Sequence, residues 1–258
     1  MSTPDLPAQT DLSESNSKLG ILYQDKFLIA VHKPAGLLVH KSPIDRHETR
    51  YAMKILRDQI GQWVYPVHRL DKPTSGLLLF ALHPDIASQL SQSFENREIE
   101  KCYCAIVRGF TKTDETIDHP LKEIAVFKQQ QKQADQKEAK ASVTHYRRLE
   151  QYELPFSDGR FPTSRYSLIE LKPETGRKHQ IRRHLKHISH PIIGDVKYGK
   201  GEHNRLFQEC FSSNRLLLAA TGLSLKHPVS GETLKLTCPL ESSFENTLQQ
   251  LSEYKFNT

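Results

Sequence analysis

The sequence predicts an α+β fold with a mixed, largely antiparallel sheet and flanking helices. Segments with the alternating or continuous apolar patterns of strands outnumber segments with helical spacing. The two kinds do not alternate regularly along the chain, which disfavours a parallel α/β sheet. The 258 residues, 37% of them hydrophobic, can bury a substantial core in one large domain or two small ones.

The first half of the chain opens on a polar segment and continues with strands and two helices. Residues 1–18, rich in Ser, Asp and Pro, predict a flexible tail. Strands are predicted at 21–23, 27–32, 77–80 and 100–108. Helices are predicted at 49–60 and 84–96. Gly61 ends the first helix, and Pro84 lies in the first turn of the second.

The second half opens with a segment of low complexity. Residues 127–140 (FKQQQKQADQKEAK) are nearly free of apolar side chains and predict a mobile loop or exposed insertion. Strands follow at 141–150, 165–171, 215–225 and 233–238. A helix is predicted at 178–188, after the break at Thr175-Gly176, and Phe244, Leu248 and Leu251 define a closing helix.

Composition and missing motifs exclude several classes of protein. The sequence has no apolar run of membrane-spanning length and no signal-peptide pattern, so we expect a soluble, cytoplasmic protein. The four cysteines are scattered and include no C-x-x-C pair, which predicts reduced thiols. Motifs for nucleoside triphosphates and nicotinamides are absent. Four histidines between 179 and 190 suggest zinc, but basic residues surround them, so no metal is expected.

Positive charge is concentrated in one segment. Residues 172–205 hold nine Lys or Arg and three acids, an excess equal to the net charge of +6 of the whole chain. Such a block suits a polyanion, because each neutralised phosphate releases counterions. A solvated basic face is the alternative.

The stretch 68–76 (HRLDKPTSG) places one acid among donors at the entrance of an apolar strand. Turn residues and the supporting strand predict that Asp71 lies on a fixed loop. Arg69 and Lys72 bring positive charge that stabilises its carboxylate form, as a nucleophile requires. The alternative is that Arg69 and Asp71 form an ion pair that only stiffens the loop.

Four motifs in order resemble the pseudouridine synthase family, in the branch that contains ribosomal large-subunit and tRNA enzymes. They are 33–40 (KPAGLLVH), 68–80 (HRLDKPTSGLLLF), 101–109 (KCYCAIVRG), and 175–185 (TGRKHQIRRHL) with 191–195 (PIIGD). The similarity runs from about Leu19 to Leu240. Two positions depart from the family's pattern: His32 replaces an asparagine, and Ala219 replaces a histidine.

The resemblance implies one catalytic domain over 19–258, with a central RNA-binding cleft and without an S4 domain. It implies isomerisation of a uridine to pseudouridine with no cofactor. The continuation of the fourth motif is most similar to members that modify tRNA at position 65. A ribosomal-RNA synthase, a non-catalytic RNA-binding protein and an N-glycosidase that releases uracil remain alternatives. We expect a monomer with tRNA as its partner, no membrane and no obligate protein partner.

The resemblance also assigns roles to residues. Asp71 starts glycosidic cleavage, Arg69 fills the space left by a flipped base, and Arg182 pairs with Asp71. Tyr103 stacks on the uracil, although it could instead be a core residue of its strand. Contacts to RNA are expected from His68, Arg177, Lys178, Gln180, Arg183 and Lys186.

Overall fold

A mixed sheet organises the protein. The computed structural model describes residues 18–41, 47–125, 136–157 and 160–256. Within these ranges the strands are β1 (Gly20–Gln24), β2 (Leu28–Lys33), β3 (Tyr65–Pro66), β4 (Ser75–Ala81), β5 (Glu100–Arg108), β6 (Asp114–Asp118), β7 (Val143–Leu154), β8 (Ser164–Pro173), β9 (Leu218–Lys226) and β10 (Thr233–Thr237). The helices are α1 (Ala52–Ile60), α2 (Pro84–Glu95), α3 (Gln180–His187), α4 (Gly201–Phe211) and α5 (Ser242–Leu251).

The strand order is β1-β2-β4-β9-β5-β8-β7-β6, with β10 paired to β9 and β3 to β4. Only the β4–β9 pair is parallel among the strands described, and the remaining pairs are antiparallel. The predicted α+β class with a largely antiparallel sheet is therefore confirmed.

The sheet carries apolar clusters on both faces. Along β4, Leu77 and Leu79 belong to one cluster, and Leu78 and Phe80 belong to another. This division follows the alternation of side chains in a strand. Every residue of β4 is buried, as its continuous apolar sequence predicts. The loop that precedes β4 is therefore anchored to the middle of the core.

Gly76 allows β4 to approach β9 closely. It has a φ of +111°, and a Cβ added there would lie 2.1 Å from the carbonyl oxygen of Ala220. No other residue type fits this position without moving the backbone. The close approach fixes the parallel β4–β9 pair, where Ser75 is opposite Ala219 and Gly76 opposite Ala220.

Most predicted elements are present, with shifts of up to four residues at their ends. The sequence did not predict β3, β6 or α4. The predicted tail at 1–18 lies outside the described residues except for Lys18, and most of the predicted mobile loop at 127–140 also lies outside them. In the described part of the chain, no helix is long and apolar enough to cross a membrane.

Candidate active site

The loop before β4 carries Asp71. Its backbone carbonyl accepts a hydrogen bond from the amide of Thr74 (3.0 Å), which closes the predicted turn. The next carbonyl, that of Lys72, accepts one from the amide of Gly36 (2.9 Å). Leu70 before it is buried in the core. The loop is therefore held on both sides of the carboxylate.

Lys33, at the end of β2, is hydrogen-bonded to the loop that carries Asp71. Its side chain is fully buried, and Nζ donates to the carbonyl oxygens of Pro34 (2.9 Å), Leu37 (2.8 Å) and Lys72 (3.1 Å). Burial lowers the pKa of Lys33 to about 7. The motif at 33–40 thus fixes the loop of Asp71, a role that sequence reasoning did not assign to it.

We expect Lys33 to make stability depend on pH. The pKa of Lys33 in the folded protein lies below that of a lysine in the unfolded chain. Between about pH 7 and 10 the unfolded chain therefore binds more protons, and the contribution of Lys33 to the free energy of unfolding rises with pH. Denaturant unfolding should show the stability of wild type relative to Lys33→Met increasing by about 2 kcal/mol from pH 7 to 9. The matched control is Lys54→Met, at an exposed lysine of α1. A difference that stays constant with pH would contradict this prediction.

Arg182 on α3 joins Asp71 to a second acid. Its Nη1 lies 3.3 Å from Asp71 Oδ2, while Nε and Nη2 donate to the two oxygens of Asp195 at 2.7 and 2.8 Å. The side chains of Arg182 and Asp195 are 6% and 1% exposed. The predicted contact between Arg182 and Asp71 is present, and sequence reasoning missed the bidentate partner Asp195.

The surroundings of Arg182 and Asp195 favour the charged form of both side chains. Burial acts to raise the pKa of Asp195, but hydrogen bonds from Arg182 and from backbone amides outweigh it and hold that pKa below its ordinary value. Burial likewise opposes the charge of Arg182, and Asp195 and Asp71 together raise its pKa above the ordinary value. A permanent cation therefore faces the Asp71 carboxylate.

Tyr103 and Arg69 line the cleft beside Asp71. Tyr103 lies on β5 next to a β-bulge between Cys102 and Tyr103, a feature that commonly re-aims a side chain near a site. Burial, and then the charge of Asp71, raises the pKa of the Tyr103 phenol, so it stays protonated. Arg69 is exposed at the rim of the cleft.

His68 forms part of the wall of the cleft. Its Nε2 accepts a hydrogen bond from the amide of Leu79 (2.9 Å), and its ring stacks on Phe94 with centroids 4.9 Å apart. Burial lowers the pKa of His68 to about 3, so the ring is neutral. His68 can contact a nucleotide in the cleft, but it offers no charge to a phosphate.

The predicted RNA-contacting basic residues lie on α3 and the turn before it, and one of them lines the cleft. Arg177 lines it, and both Arg177 and Lys178 are exposed. Lys186 is also exposed, with Nζ 5.8 Å from the ring centroid of Tyr198. Arg183 is half-buried and donates to the carbonyl oxygen of Lys122 (2.9 Å). These side chains form a basic ridge along α3 and the turn before it, defined by Arg177, Lys178, Arg183 and Lys186.

The placement of Gln180 corrects one expectation. Gln180 is 4% exposed, and its amide is engaged on both sides. The side-chain oxygen accepts from the Thr175 hydroxyl (2.6 Å) and the Arg177 amide (3.0 Å), and the nitrogen donates to Val143 O and Thr144 Oγ1. Its side chain anchors the start of α3 and has no free group to offer RNA.

We expect Gln180→Ala to reduce stability without reducing the affinity of the folded protein for the expected RNA partner. The substitution leaves several buried polar groups unpaired, at a cost of about 1–3 kcal/mol. Denaturant unfolding measures the first effect, and RNA binding well below the melting temperature measures the second. A tenfold loss of affinity at unchanged stability would restore the RNA-contact assignment.

The four histidines considered as zinc ligands are engaged with other groups, and two of them, His184 and His187, share His119 as a neighbour. In the described ranges, no group of three or more His, Cys, Asp or Glu side chains could hold a metal. His179 is near Asp71, His184 contacts Thr144 and the carbonyl of His119, His187 stacks on the ring of His119, and His190 contacts the carbonyl of Arg108.

The two departures from the family's pattern lie inside the sheet. Nε2 of His32 is buried and has no hydrogen-bond partner within the described residues. Ala219 is buried on β9, opposite Ser75 and Cys104. Neither residue is among those that line the cleft.

The cleft has a volume of about 690 Å³ and lies where the 71–74 loop, β5, α2 and the start of α3 meet. It offers the carboxylates of Asp71 and Glu95, a tyrosine and several cations in a space large enough for a nucleotide. An acid at the base of a basic cleft suits chemistry on a polyanion.

Comparison with known proteins identifies the family of this chain. Residues 27–187 match the family described as RNA pseudouridylate synthase, and the chain belongs to that family. The chain is 51% identical over 233 residues to tRNA pseudouridine synthase C of Vibrio cholerae, covering 90% of this chain and 95% of that one. It is 47% identical to tRNA pseudouridine synthase C of Haemophilus influenzae, covering 90% and 97%.

Solved structures are similar over the same extent. Human RNA Pseudouridylate Synthase Domain Containing 4 has a TM-score of 0.68 at 27% identity, covering 90% of this chain and 93% of that one. Human RNA Pseudouridylate Synthase Domain Containing 1 has a TM-score of 0.67 at 26% identity, covering 90% and 88%. The predicted family and fold are confirmed.

Proposed function

We propose that this protein isomerises a uridine of tRNA, at position 65, to pseudouridine, with Asp71 as the reacting acid. The observation that carries the proposal is the Asp71 carboxylate in the basic cleft, 3.3 Å from a buried Arg182 that Asp195 holds in place. Its relatives in Vibrio cholerae and Haemophilus influenzae are named as tRNA enzymes, which favours tRNA over ribosomal RNA.

The reaction breaks the bond between ribose C1′ and uracil N1, rotates the uracil, and joins C1′ to C5. The C5 proton is lost, and N1 gains a proton, so atoms and charge balance without an oxidant or reductant. The protein must supply a group that starts the cleavage, a pocket that retains the uracil, and a proton acceptor at C5.

Asp71 fits the first requirement. Its carboxylate can attack the base, attack C1′ or remove the ribose 2′ proton, and the three routes share the need for an ionised, oriented acid. Arg182 supplies the orientation, because it contacts Oδ2 and is itself fixed by two hydrogen bonds to Asp195.

Tyr103 and Arg69 fit the handling of the base. A paired uridine must leave its helix to reach Asp71, which costs a few kcal/mol. Arg69, exposed at the rim, can fill the vacated space with a planar group that donates several hydrogen bonds. Tyr103, half-buried beside Asp71, can stack on the flipped uracil, and its protonated phenol can donate a hydrogen bond but cannot itself accept the C5 proton.

Tritium release tests the proposed function. tRNA transcripts labelled at uridine C5 should lose tritium when incubated with the protein, and a transcript in which uridine 65 is replaced by cytidine should lose none. Release from both transcripts would place the modified uridine elsewhere. Release only from ribosomal RNA would favour a ribosomal-RNA synthase, free uracil would indicate an N-glycosidase, and release from no RNA would favour a binding protein.

We expect Arg177→Ala and Lys178→Ala to weaken tRNA binding and leave the chemistry intact. Each exposed cation can neutralise a phosphate, and losing one should reduce the slope of log affinity against log salt by about 1. Fluorescence titration at several salt concentrations measures the slope, and single-turnover kinetics at saturating protein measures the chemistry. An unchanged slope would remove these residues from the RNA-binding surface.

We propose further that the protein is a cytoplasmic monomer without an obligate protein partner, and that residues 19–258 form one catalytic domain. Light scattering coupled to size-exclusion chromatography should give a mass near 29.6 kDa. A mass near twice that value would contradict the monomer. A single cooperative unfolding transition is the expected result for one domain.

A further inference from the structure

Two side chains with no role in the mechanism above connect to Asp71. His179 Nε2 lies 3.8 Å from Asp71 Oδ1, and His179 Nδ1 lies 2.9 Å from the Tyr198 hydroxyl. Arg182 approaches the other oxygen of the carboxylate, Oδ2. Each oxygen of Asp71 therefore has its own basic neighbour.

Donor and acceptor chemistry assigns the protons in this chain of contacts. An ionised carboxylate only accepts, so the nitrogen of His179 that faces Asp71 must carry a hydrogen for the two groups to form a hydrogen bond. Burial lowers the pKa of His179 to about 4, against the opposing charge of Asp71, so the ring is neutral near pH 7 and has one N–H. Nδ1 then accepts from Tyr198, whose hydroxyl keeps its proton because burial raises its pKa.

The backbone and the packing fix both rings. His179 precedes α3 in the left-handed region, with φ 55° and ψ 29°, which non-glycine residues seldom adopt. The rings of His179 and Tyr198 meet edge to face with centroids 5.6 Å apart. The amide of Tyr198 donates to Asp195 (2.9 Å), the same carboxylate that holds Arg182.

We propose that Tyr198 and His179 form a hydrogen-bond relay that positions the Asp71 carboxylate for its reaction with uridine. Tyr198 selects the His179 tautomer, and the Nε2–H of that tautomer restrains Oδ1 while Arg182 restrains Oδ2. The 3.8 Å separation exceeds a hydrogen-bond length, and contacts of this kind commonly shorten when substrate closes the site. Both are positioning residues, and the proposal rests on the proposed function of Asp71.

Single-turnover kinetics with a tRNA transcript tests the relay. Tyr198→Phe removes the hydroxyl and keeps the ring, and the rate should fall by about fivefold, the effect of one lost hydrogen bond. His179→Asn suits the left-handed backbone but shortens the side chain, and the rate should fall by about tenfold or more. Affinity for tRNA should change less than twofold in both.

The double variant distinguishes a relay from two separate effects. If Tyr198 acts through His179, adding Tyr198→Phe to His179→Asn should slow the reaction no further. The relay would be overturned if the rate losses of the two single variants multiply in the double variant. It would also be overturned by an unchanged rate in Tyr198→Phe, or by a loss of tRNA affinity equal to the loss of rate. Tyr23→Phe is the matched control, since it also removes a hydroxyl that donates to an aspartate, Asp25 (2.6 Å), and Tyr23 lies on the edge strand β1.

The tautomer can be observed without any activity. Long-range proton–nitrogen NMR spectra, assigned with His179→Asn, should show the Nε2–H form in wild type and a mixture of tautomers in Tyr198→Phe. An Nδ1–H form in wild type would overturn the relay. If wild type forms no pseudouridine, the proposed function fails, and this spectrum still decides whether the relay exists.

Discussion

Replacing Asp71 with alanine should reduce pseudouridine formation to less than about one hundredth of wild type while tRNA binding is retained. In the proposed mechanism the acid performs the chemistry, and the basic ridge supplies affinity. The structure adds a reason to expect a folded variant, because Arg182 keeps its two hydrogen bonds to Asp195 when Asp71 is lost. Tritium release and a binding titration on the same transcript measure the two effects.

Asp71→Asn, measured in the same experiment, tests the charge of the Asp71 side chain while keeping its shape. The amide keeps the volume of the side chain but cannot act as a nucleophile or base, so the same loss is expected. Asp118→Ala, at an exposed acid of β6, is the matched control and should retain full activity. Activity of Asp71→Ala above about one hundredth of wild type would be hard to reconcile with a nucleophile's usual contribution.

Replacing Asp195 with alanine should have the second largest effect, on stability and activity together. The carboxylate accepts hydrogen bonds from Arg182, and from the amides of Lys197 and Tyr198 (2.9 Å each). Its removal leaves the buried guanidinium with the longer hydrogen bond to Asp71 (3.3 Å) and the ring of Tyr198 as neighbours, and breaking a buried pair in this way costs about 3–5 kcal/mol. Urea unfolding at pH 7 measures the loss.

The activity of Asp195→Ala should also fall at temperatures where the variant is fully folded, because Arg182 is no longer oriented toward Asp71. Arg147→Ala breaks an exposed pair with Glu170 (3.4 Å) and serves as the control, with an expected cost below about 1 kcal/mol. Full activity in folded Asp195→Ala would show that Arg182 does not need Asp195 to serve Asp71.

Sequence patterns predicted elements well where local pattern and environment agree. The strand at 100–108 matches β5, and the helix at 84–96 matches α2 within one residue. Sequence patterns missed elements whose secondary structure depends on contacts with distant parts of the chain. α4 was missed because a histidine, His203, occupies a core position, where the hydroxyl of Tyr166 lies 2.8 Å from its Nδ1. β6 is an edge strand of mostly charged residues, and its pairing to β7 makes it a strand.

The same division applies to the site. The resemblance of the motifs to the family singled out Asp71, Arg69, Tyr103 and Arg182, and the structure places all four at one cleft. Residue type misled for Gln180, because a polar side chain in a basic segment suggests RNA contact, whereas the fold buries it among four hydrogen bonds.

The sequence by itself determined the fold class through its strand and turn patterns, which are local properties of the chain, and its motifs identified the family, the acid and the contact of that acid with Arg182. Only the tertiary structure decided the remaining groups around the acid, such as Asp195, His179 and Tyr198. Arg182 is 111 residues from Asp71 in sequence, and its second partner Asp195 follows from the packing of α3 against the turn after it. Sheet register and helix packing create such contacts between distant residues, and no local pattern encodes them.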